Sequence, residues 1–123
     1  RIDGRVRQDV LSDERMPAAY GNASAFVFPS RFEGFGLPAL EAMACGAPAV
    51  LADATSLPEV GGDSARYFAM GEHKALAREL RAVLGDENVS SHLREQGKQR
   101  AAHFTWQQAA QATADVYREA MAR

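Results

Sequence analysis

Two short apolar segments with a glycine-bearing loop between them constrain this chain more than any other feature. The segments, residues 25–28 and 48–52, have the length and composition of buried β-strands. Between them, Gly34 and Gly36 precede a helical pattern over 37–44, which Gly46 can end. A strand, a loop and a short helix in this order are typical of a parallel α/β sheet, which binds ligands where a strand passes into a loop.

The rest of the chain continues this alternation and then becomes helical. A third strand is expected over residues 66–69, and apolar residues at helical spacing predict a helix through 76–84. Further helices are expected from Ser12 or Asp13 to about Tyr20, from Asn88 or Ser90 to near Phe104, and after a capping box at 105–108. The predicted fold is a partial Rossmann-like, three-layer α/β fold, with a short parallel sheet flanked by helices and further helices at the C-terminus.

Composition limits the classes of function. The 123 residues suffice for one domain, and a net charge of −2 gives no reason to expect nucleic-acid or membrane-surface binding. No uncharged stretch is long and apolar enough to span a bilayer. Cys45 is the only cysteine, so a disulfide within the chain and a cysteine metal site are excluded, and we expect a cytoplasmic protein.

The start of the predicted motif helix is suited to an anion. Backbone N–H groups at a helix N-terminus, together with the positive end of the helix dipole, favour phosphate. The N–H groups of Gly36, Leu37 and Ala39 are the natural donors, whereas Pro38 has no N–H and suits the first helical turn. Gly34 and Gly36 would let a ligand approach the backbone closely.

Two carboxylates, Glu33 and Glu41, flank this anion site at a spacing of eight positions. A carboxylate repels phosphate but accepts hydrogen bonds from vicinal hydroxyls, so Glu41 suits a ribose and Glu33 suits hydroxyls on the other side of a diphosphate. The ligand expected from this pattern is a sugar nucleotide. The competing interpretation is that both glutamates only cap or solvate a helix end.

A second motif overlaps the first. Residues 34–39 match the dinucleotide pattern G-x-G-x-x-A, and Asp53 ends the next strand as a ribose-binding acid would. Five residues separate the strand from Gly34, however, whereas the dinucleotide fold requires that glycine at the strand end. The NAD interpretation is therefore the weaker one.

The same residues resemble a known family. The chain from residue 4 onward is similar to the C-terminal domain of retaining glycosyltransferases of the GT-B fold, in the group called glycosyl transferases group 1, with its glutamate–seven residues–glutamate motif. The resemblance is carried by Phe-Val-Phe-Pro-Ser at 26–30, by the run 33–46, by Ser-Leu-Pro-Glu-Val at 56–60 and by Phe-Thr-Trp at 104–106.

The resemblance implies roles for individual residues and a metal-independent site without a cofactor. Glu41 would hold the nucleotide ribose, and Glu33 would face the hydroxyls of the transferred sugar. The remaining expected contacts are Gly34, Phe35 and Gly36 at the donor sugar, Leu37 and Ala39 at the diphosphate, and Val6, in the segment Gly4-Arg-Val6, at the base. The expected partner is a UDP-, GDP- or ADP-hexose.

The resemblance also implies that parts of the family domain are missing here. The arginine–lysine pair that stabilises the leaving diphosphate and the acceptor domain have no counterpart in residues 1–123, so no catalytic residue is assigned and no useful turnover is expected from this chain alone. The family sheet would lose two strands, which leaves the strand at 25–28 with an open edge and predicts a homo-oligomer. The alternatives are a non-catalytic nucleotide-binding module and a self-associating structural fragment.

Overall fold

The computed structural model of the chain describes residues 6–123, in which helices and strands alternate before three helices end the chain. The elements are α1 (Met16–Gly21), β1 (Phe26–Phe28), α2 (Leu37–Ala44), β2 (Ala49–Ala52), α3 (Leu57–Gly61), β3 (Arg66–Phe68), α4 (His73–Gly85), α5 (Glu87–Ala102) and α6 (Trp106–Met121). A single 3₁₀ turn, Gly62–Ser64, joins α3 to β3. The polar segment 1–10 predicts the end of a strand followed by a loop; residues 1–5 lie outside the described residues, and residues 6–12 have no regular secondary structure.

The sheet is parallel, as predicted, and its strands follow in the order β1-β2-β3. Val27 lies opposite Val50, and Leu51 lies opposite Tyr67. All four residues of β2 are buried, whereas those of β1 are only half-buried. Within the described part of the chain, β1 and β3 are therefore the edges of the sheet, and β2 is its centre.

The core forms where helices cover the central strand. Its buried members include Val50 and Leu51 of β2, Met43 of α2, Val83 of α4 and Leu93 of α5. One side of α2, with Ala39, Ala42 and Met43, is buried, and α2 packs most extensively against α5. The opposite side of α2 is left for other contacts.

Glycines set both ends of α2. Gly36 precedes the helix with φ 98°, a left-handed conformation that a residue with a Cβ adopts only at a cost. At the other end, Gly46 has φ 83°; its N–H donates to the carbonyl of Met43, and the N–H of Ala47 donates to that of Ala42. This pair of bonds is a Schellman motif, and it confirms the predicted helix end at Gly46.

Three local predictions need correction. Helix α1 begins at Met16 rather than at Ser12 or Asp13, because Pro17 fits only in a first helical turn. Helix α5 begins at Glu87 with Asp86 as its cap, whose carboxylate accepts from the N–H of Asn88 at 2.9 Å, rather than with Asn88 or Ser90 as the first residue. The turn-rich composition of residues 53–63 predicts turns there, yet the structure has helix α3 in this stretch, which is too short for a periodic pattern.

Two arginines of α5 tie this helix to distant loops. Arg94 donates to the carbonyl oxygens of Gly46, at 2.7 Å, and of Ala23, at 3.0 Å. Arg100 donates to the carbonyl of Val60 at 3.0 Å and to that of Glu59 at 2.6 Å. These charge-assisted bonds hold the loops before β1 and after α2, and the end of α3, against one helix.

The last helix packs little on the rest of the chain. The predicted cap is confirmed, because the Thr105 hydroxyl accepts from the N–H of Gln108 at 3.1 Å. No residue of α6 is buried, and large apolar side chains along it are exposed, namely Trp106, Val116, Tyr117 and Met121. Among the described residues, no helix has the length and apolar character needed to cross a membrane.

Candidate functional site

The predicted site residues gather at the start of α2. The exposed side of this helix carries Leu37 and Glu41, which lie one turn apart, since residues at i and i+4 share a helix face. Their neighbours Ala39 and Ala42 point into the core. The buried positions thus fix the rotation of α2, and this rotation leaves the Glu41 carboxylate in solvent near the N-terminal end of the helix.

Backbone N–H groups before α2 have no partner in the described residues. None of the hydrogen bonds within 6–123 uses the N–H of Phe35, Gly36 or Leu37. The N–H of Ala39, in contrast, donates to the carbonyl of Gly36 at 3.0 Å, and that of Leu40 donates to the same oxygen at 3.3 Å. The N–H of Ala39, which was expected to face a phosphate, is thus already used by the first turn of the helix.

Glu33 is half-buried in the loop before the glycines. Its carboxylate accepts a hydrogen bond from the Ser30 hydroxyl at 2.7 Å. Its backbone is held from the loop after β2: its N–H donates to the Thr55 hydroxyl at 3.1 Å, and its carbonyl accepts from the Ser56 hydroxyl at 3.1 Å. Main chain and side chain of Glu33 are thus both fixed before any ligand arrives.

The two loop glycines are in different surroundings. A Cβ built at Gly36 would lie 2.7 Å from Cδ2 of the buried Leu57, whereas a Cβ at Gly34 would meet nothing within 4 Å. Glycine is required at position 36 because the backbone there is left-handed and because Leu57 leaves no room for a Cβ. Gly34 has open space around it, so any need for glycine there would come from a ligand.

A cavity of about 670 Å³ lies between α2 and the corner where α5 meets α6. Phe35, Leu37 and Glu41 line one wall, and Phe104 and Trp106 line the other. The Phe35 ring meets the Phe104 ring edge to face, with centroids 5.9 Å apart. This contact anchors the Phe35 side chain against the C-terminal part of the chain, and the expected contact of Phe35 with the donor sugar stays a prediction.

A buried tyrosine lies behind the exposed glutamate. Tyr20, at the end of α1, packs edge to face on Phe26 with centroids 5.4 Å apart. Burial raises the pKa of Tyr20, and the negative charge of Glu41 raises it further. Tyr20 is therefore a neutral hydroxyl in the electrostatic surroundings of Glu41.

The N-terminal part of the predicted site is only partly described. Val6 is 59% exposed. Gly4, the first residue of the segment expected at the base, lies outside the described residues. Within 6–123, no group of three or more histidine, cysteine, aspartate or glutamate side chains is arranged to hold a metal ion.

Sequence reasoning missed the residues that support the loop. Thr55, Ser56 and Leu57 lie more than twenty positions after Glu33, and only the pairing of β1 with β2 brings them to it. Ser56 belongs to the segment 56–60 noted for its resemblance, but that segment was given no role. The contact of Ser30 with Glu33 could have been predicted from the sequence, because serine hydroxyls often form hydrogen bonds with groups a few residues away.

These features define a class of site. A parallel α/β sheet carries, beyond the carboxyl end of β1, a loop with three N–H groups free of described partners and a helix with an exposed carboxylate one turn in. Such a site is of the kind that can hold an anionic ligand.

The chain belongs to the glycosyl transferases group 1 family, whose model matches residues 9–100. It is 38% identical to the O-antigen chain mannosyltransferase B of Escherichia coli and 39% identical to the MMP alpha-(1->4)-mannosyltransferase of Mycolicibacterium hassiacum. These alignments cover 88% and 92% of this chain but only 28% of each relative.

A solved structure supports the fold. Sucrose-phosphate synthase from Thermosynechococcus elongatus superimposes with a TM-score of 0.81 at 29% identity, over 91% of this chain and 29% of that one. The predicted family and the predicted α/β fold class are thus confirmed. The chain spans less than a third of the length of these relatives.

Proposed function

We propose that residues 1–123 are the donor-binding part of a retaining glycosyltransferase, which binds a nucleotide sugar and whose whole protein transfers a hexose to an acceptor. The observation that carries this proposal is the exposed Glu41 carboxylate, one helical turn after the N–H groups of Gly36 and Leu37. One ligand can bind the carboxylate and the N–H groups together if it carries a ribose next to a diphosphate, as a nucleoside diphosphate does.

The donor sugar would lie on the loop side of the diphosphate. Glu33 is held there by Ser30 through its carboxylate, which still has lone pairs for sugar hydroxyls. Gly34 has no atom near its missing side chain, which leaves room for a sugar against the backbone. We take a mannosyl donor as the first to test, because two of the relatives are named as mannosyltransferases.

The proposed site needs no bound cation to hold the phosphates. The N–H groups of Phe35, Gly36 and Leu37 and the positive end of α2 supply partial positive charge. The whole protein would still need further cations to stabilise the leaving diphosphate, since charge stabilisation is usually the largest catalytic term. Donor binding is therefore the property to measure on these residues.

The cytoplasmic location stays a prediction.

Ligand-observed NMR with UDP, GDP, ADP, their glucose and mannose conjugates, and NAD tests the proposal. We expect one nucleoside diphosphate series to bind and Glu41→Gln to weaken this binding about tenfold. A carboxylate can accept a hydrogen bond on each of its two oxygens, whereas an amide has one accepting oxygen and so loses one of the two bonds to the ribose. Glu95→Gln, on the exposed side of α5, is the matched control and should bind as the parent does.

The outcome also separates the alternatives. Binding without any transfer by the full-length protein would indicate a non-catalytic nucleotide-binding module. Absence of binding across the whole panel, NAD included, would overturn the proposal and favour a structural fragment. Binding of NAD alone would revive the dinucleotide interpretation of residues 34–39.

A further inference from the structure

The loop that carries Glu33 and the glycines is held by side chains that follow β2, in the next loop and at the start of α3. Three consecutive residues after β2 contact it. Thr55 accepts from the N–H of Glu33 at 3.1 Å, and the Ser56 hydroxyl lies 2.8 Å from the carbonyl of Phe35 and 3.1 Å from that of Glu33. Leu57 fills the space beside Gly36.

The Ser56 contacts determine where the loop N–H groups point. In a trans peptide, the carbonyl of one residue and the N–H of the next point in opposite directions. Because the carbonyls of Glu33 and Phe35 turn toward Ser56, the N–H groups of Gly34 and Gly36 turn away from it. Neither N–H has a partner among the described residues, so both are left for a ligand, that of Gly34 at an exposed residue and that of Gly36 at a residue that is itself buried beside Leu57.

The backbone of Thr55 is unusual in a way that supports a special role. Its φ is 49°, and within residues 6–123 no other residue except glycine has a positive φ. This conformation is rare for a β-branched residue and persists only where the surroundings enforce it. Here it brings the Thr55 hydroxyl to Glu33 while Leu57, two residues later, is fully buried.

We propose that Thr55 and Ser56 are positioning residues that clamp the loop 33–36 in the conformation that presents the Gly34 and Gly36 N–H groups to the phosphates and sugar of the donor. The proposal rests on the proposed donor site and adds to it the residues that build it. Neither hydroxyl needs to touch the ligand. Together they fix the loop before binding, which lowers the ordering cost that the ligand would otherwise have to offset.

The test separates the clamp from the ligand with a measurement that needs no nucleotide. Backbone ¹⁵N relaxation gives order parameters for the loop amides. We expect order parameters of about 0.85 at Gly34 and Gly36 in the parent, and of less than about 0.6 at the same residues in Ser56→Ala. Ser56→Thr keeps the hydroxyl and should keep the order. Ser91→Ala, which removes an exposed serine hydroxyl bonded to Glu87 on α5, is the control.

Binding then tests the positioning role. Ser56→Ala should weaken a nucleoside diphosphate about tenfold and the matching nucleoside not at all, because the loop faces the phosphates and Glu41 faces the ribose. Thr55→Ala should weaken it in the same direction, and Thr55→Ser should restore the parent affinity. Denaturant unfolding of each variant at the same temperature shows that the fold is retained.

Each failure has a distinct meaning. Unchanged order parameters in Ser56→Ala overturn the clamp, whatever the chain binds. A loosened loop with unchanged diphosphate affinity overturns its positioning role. Equal losses for nucleoside and nucleoside diphosphate also overturn it, since the effect would then not be specific to the loop. If the parent binds no nucleotide, the donor site fails, while the relaxation data still decide the clamp.

Discussion

Leu57 packs against the α-carbon of Gly36, so that a Cβ at Gly36 would lie 2.7 Å from Leu57 Cδ2. The contact joins the residue just before α2 to the first residue of α3, and it leaves no room for a Cβ at the point where the loop turns through a left-handed residue. Two glycines separated by one residue therefore differ in what they tolerate.

We predict that Gly36→Ala lowers the free energy of unfolding by about 2–4 kcal/mol, from left-handed backbone strain and from the contact with Leu57. Gly34→Ala should change it by less than about 1 kcal/mol, because a Cβ there meets nothing within 4 Å. Urea unfolding of both variants measures the difference. Equal effects at the two positions would contradict the described loop conformation.

The half-buried hydroxyl of Tyr67 gives a pH dependence at high pH. Burial raises the pKa of Tyr67 to about 12; Arg100 lowers it, and Asp53 and Asp63 raise it. In the unfolded chain, the Tyr67 hydroxyl loses its proton at about pH 10, before the folded chain does. The contribution of Tyr67 to stability is therefore complete below pH 10 and is lost as pH rises toward 12.

The check is the difference in unfolding free energy between the parent and Tyr67→Phe. This difference should be constant from pH 7 to 9, since the lost hydrogen bond to the carbonyl of Gly62 contributes equally there, and should decrease above pH 10. A difference that stays flat to pH 11 would show that Tyr67 has an ordinary pKa.

Arg94 should contribute to stability through its two carbonyl contacts. Arg94→Ala leaves the carbonyls of Gly46 and Ala23 without this donor and should lower the free energy of unfolding by about 2 kcal/mol. Arg94→Lys should recover less than half of it, because an ammonium group lacks the planar fork. Arg81→Ala, at an exposed position of α4, should stay within about 0.5 kcal/mol of the parent.

The open edge of β1 predicts self-association. Phe26 donates its N–H to the carbonyl of Pro48, so the backbone groups of Val27, the next residue, face away from β2. We expect association that increases with concentration in sedimentation velocity, and we expect Val27→Pro, which removes the outward N–H, to abolish it.

Val27→Thr keeps this N–H and should associate as the parent does. A parent that is monomeric at every concentration would contradict the homo-oligomer. Equal association of parent and Val27→Pro would instead direct attention to the exposed apolar residues of α6, such as Trp106 and Tyr117.

The sequence was sufficient for the parts of the fold that rest on local rules. The bounds of α2 follow from Pro38 near its start and Gly46 after its end, and the structure confirms both. The cap of α6 at Thr105 is likewise local. The predicted start of α5 differs from the observed one because Asp86, Asn88 and Ser90 are all good capping residues, and in the structure it is the Asp86 carboxylate that accepts from the N–H of Asn88.

The site was predicted less completely, because some of its residues come together only through tertiary structure. Glu33, Gly36 and Glu41 stand in one continuous motif, so a local pattern identifies them. Thr55 and Ser56 act over a sequence separation that no local pattern covers, and the positive φ of Thr55 has no signature in its residue type. The use of the Ala39 N–H by Gly36 depends on how tightly the first turn is wound.

The distance along the chain between Glu33 and Thr55 has a consequence for the order of folding. Their contact closes a loop of more than twenty residues that contains α2 and β2, and closing such a loop costs entropy that only the paired strands offset. The loop before α2 can therefore reach its final shape only after β1 and β2 have come together. A nascent chain that ends before residue 53 would have the whole glutamate motif yet lack the shape that a ligand could recognise.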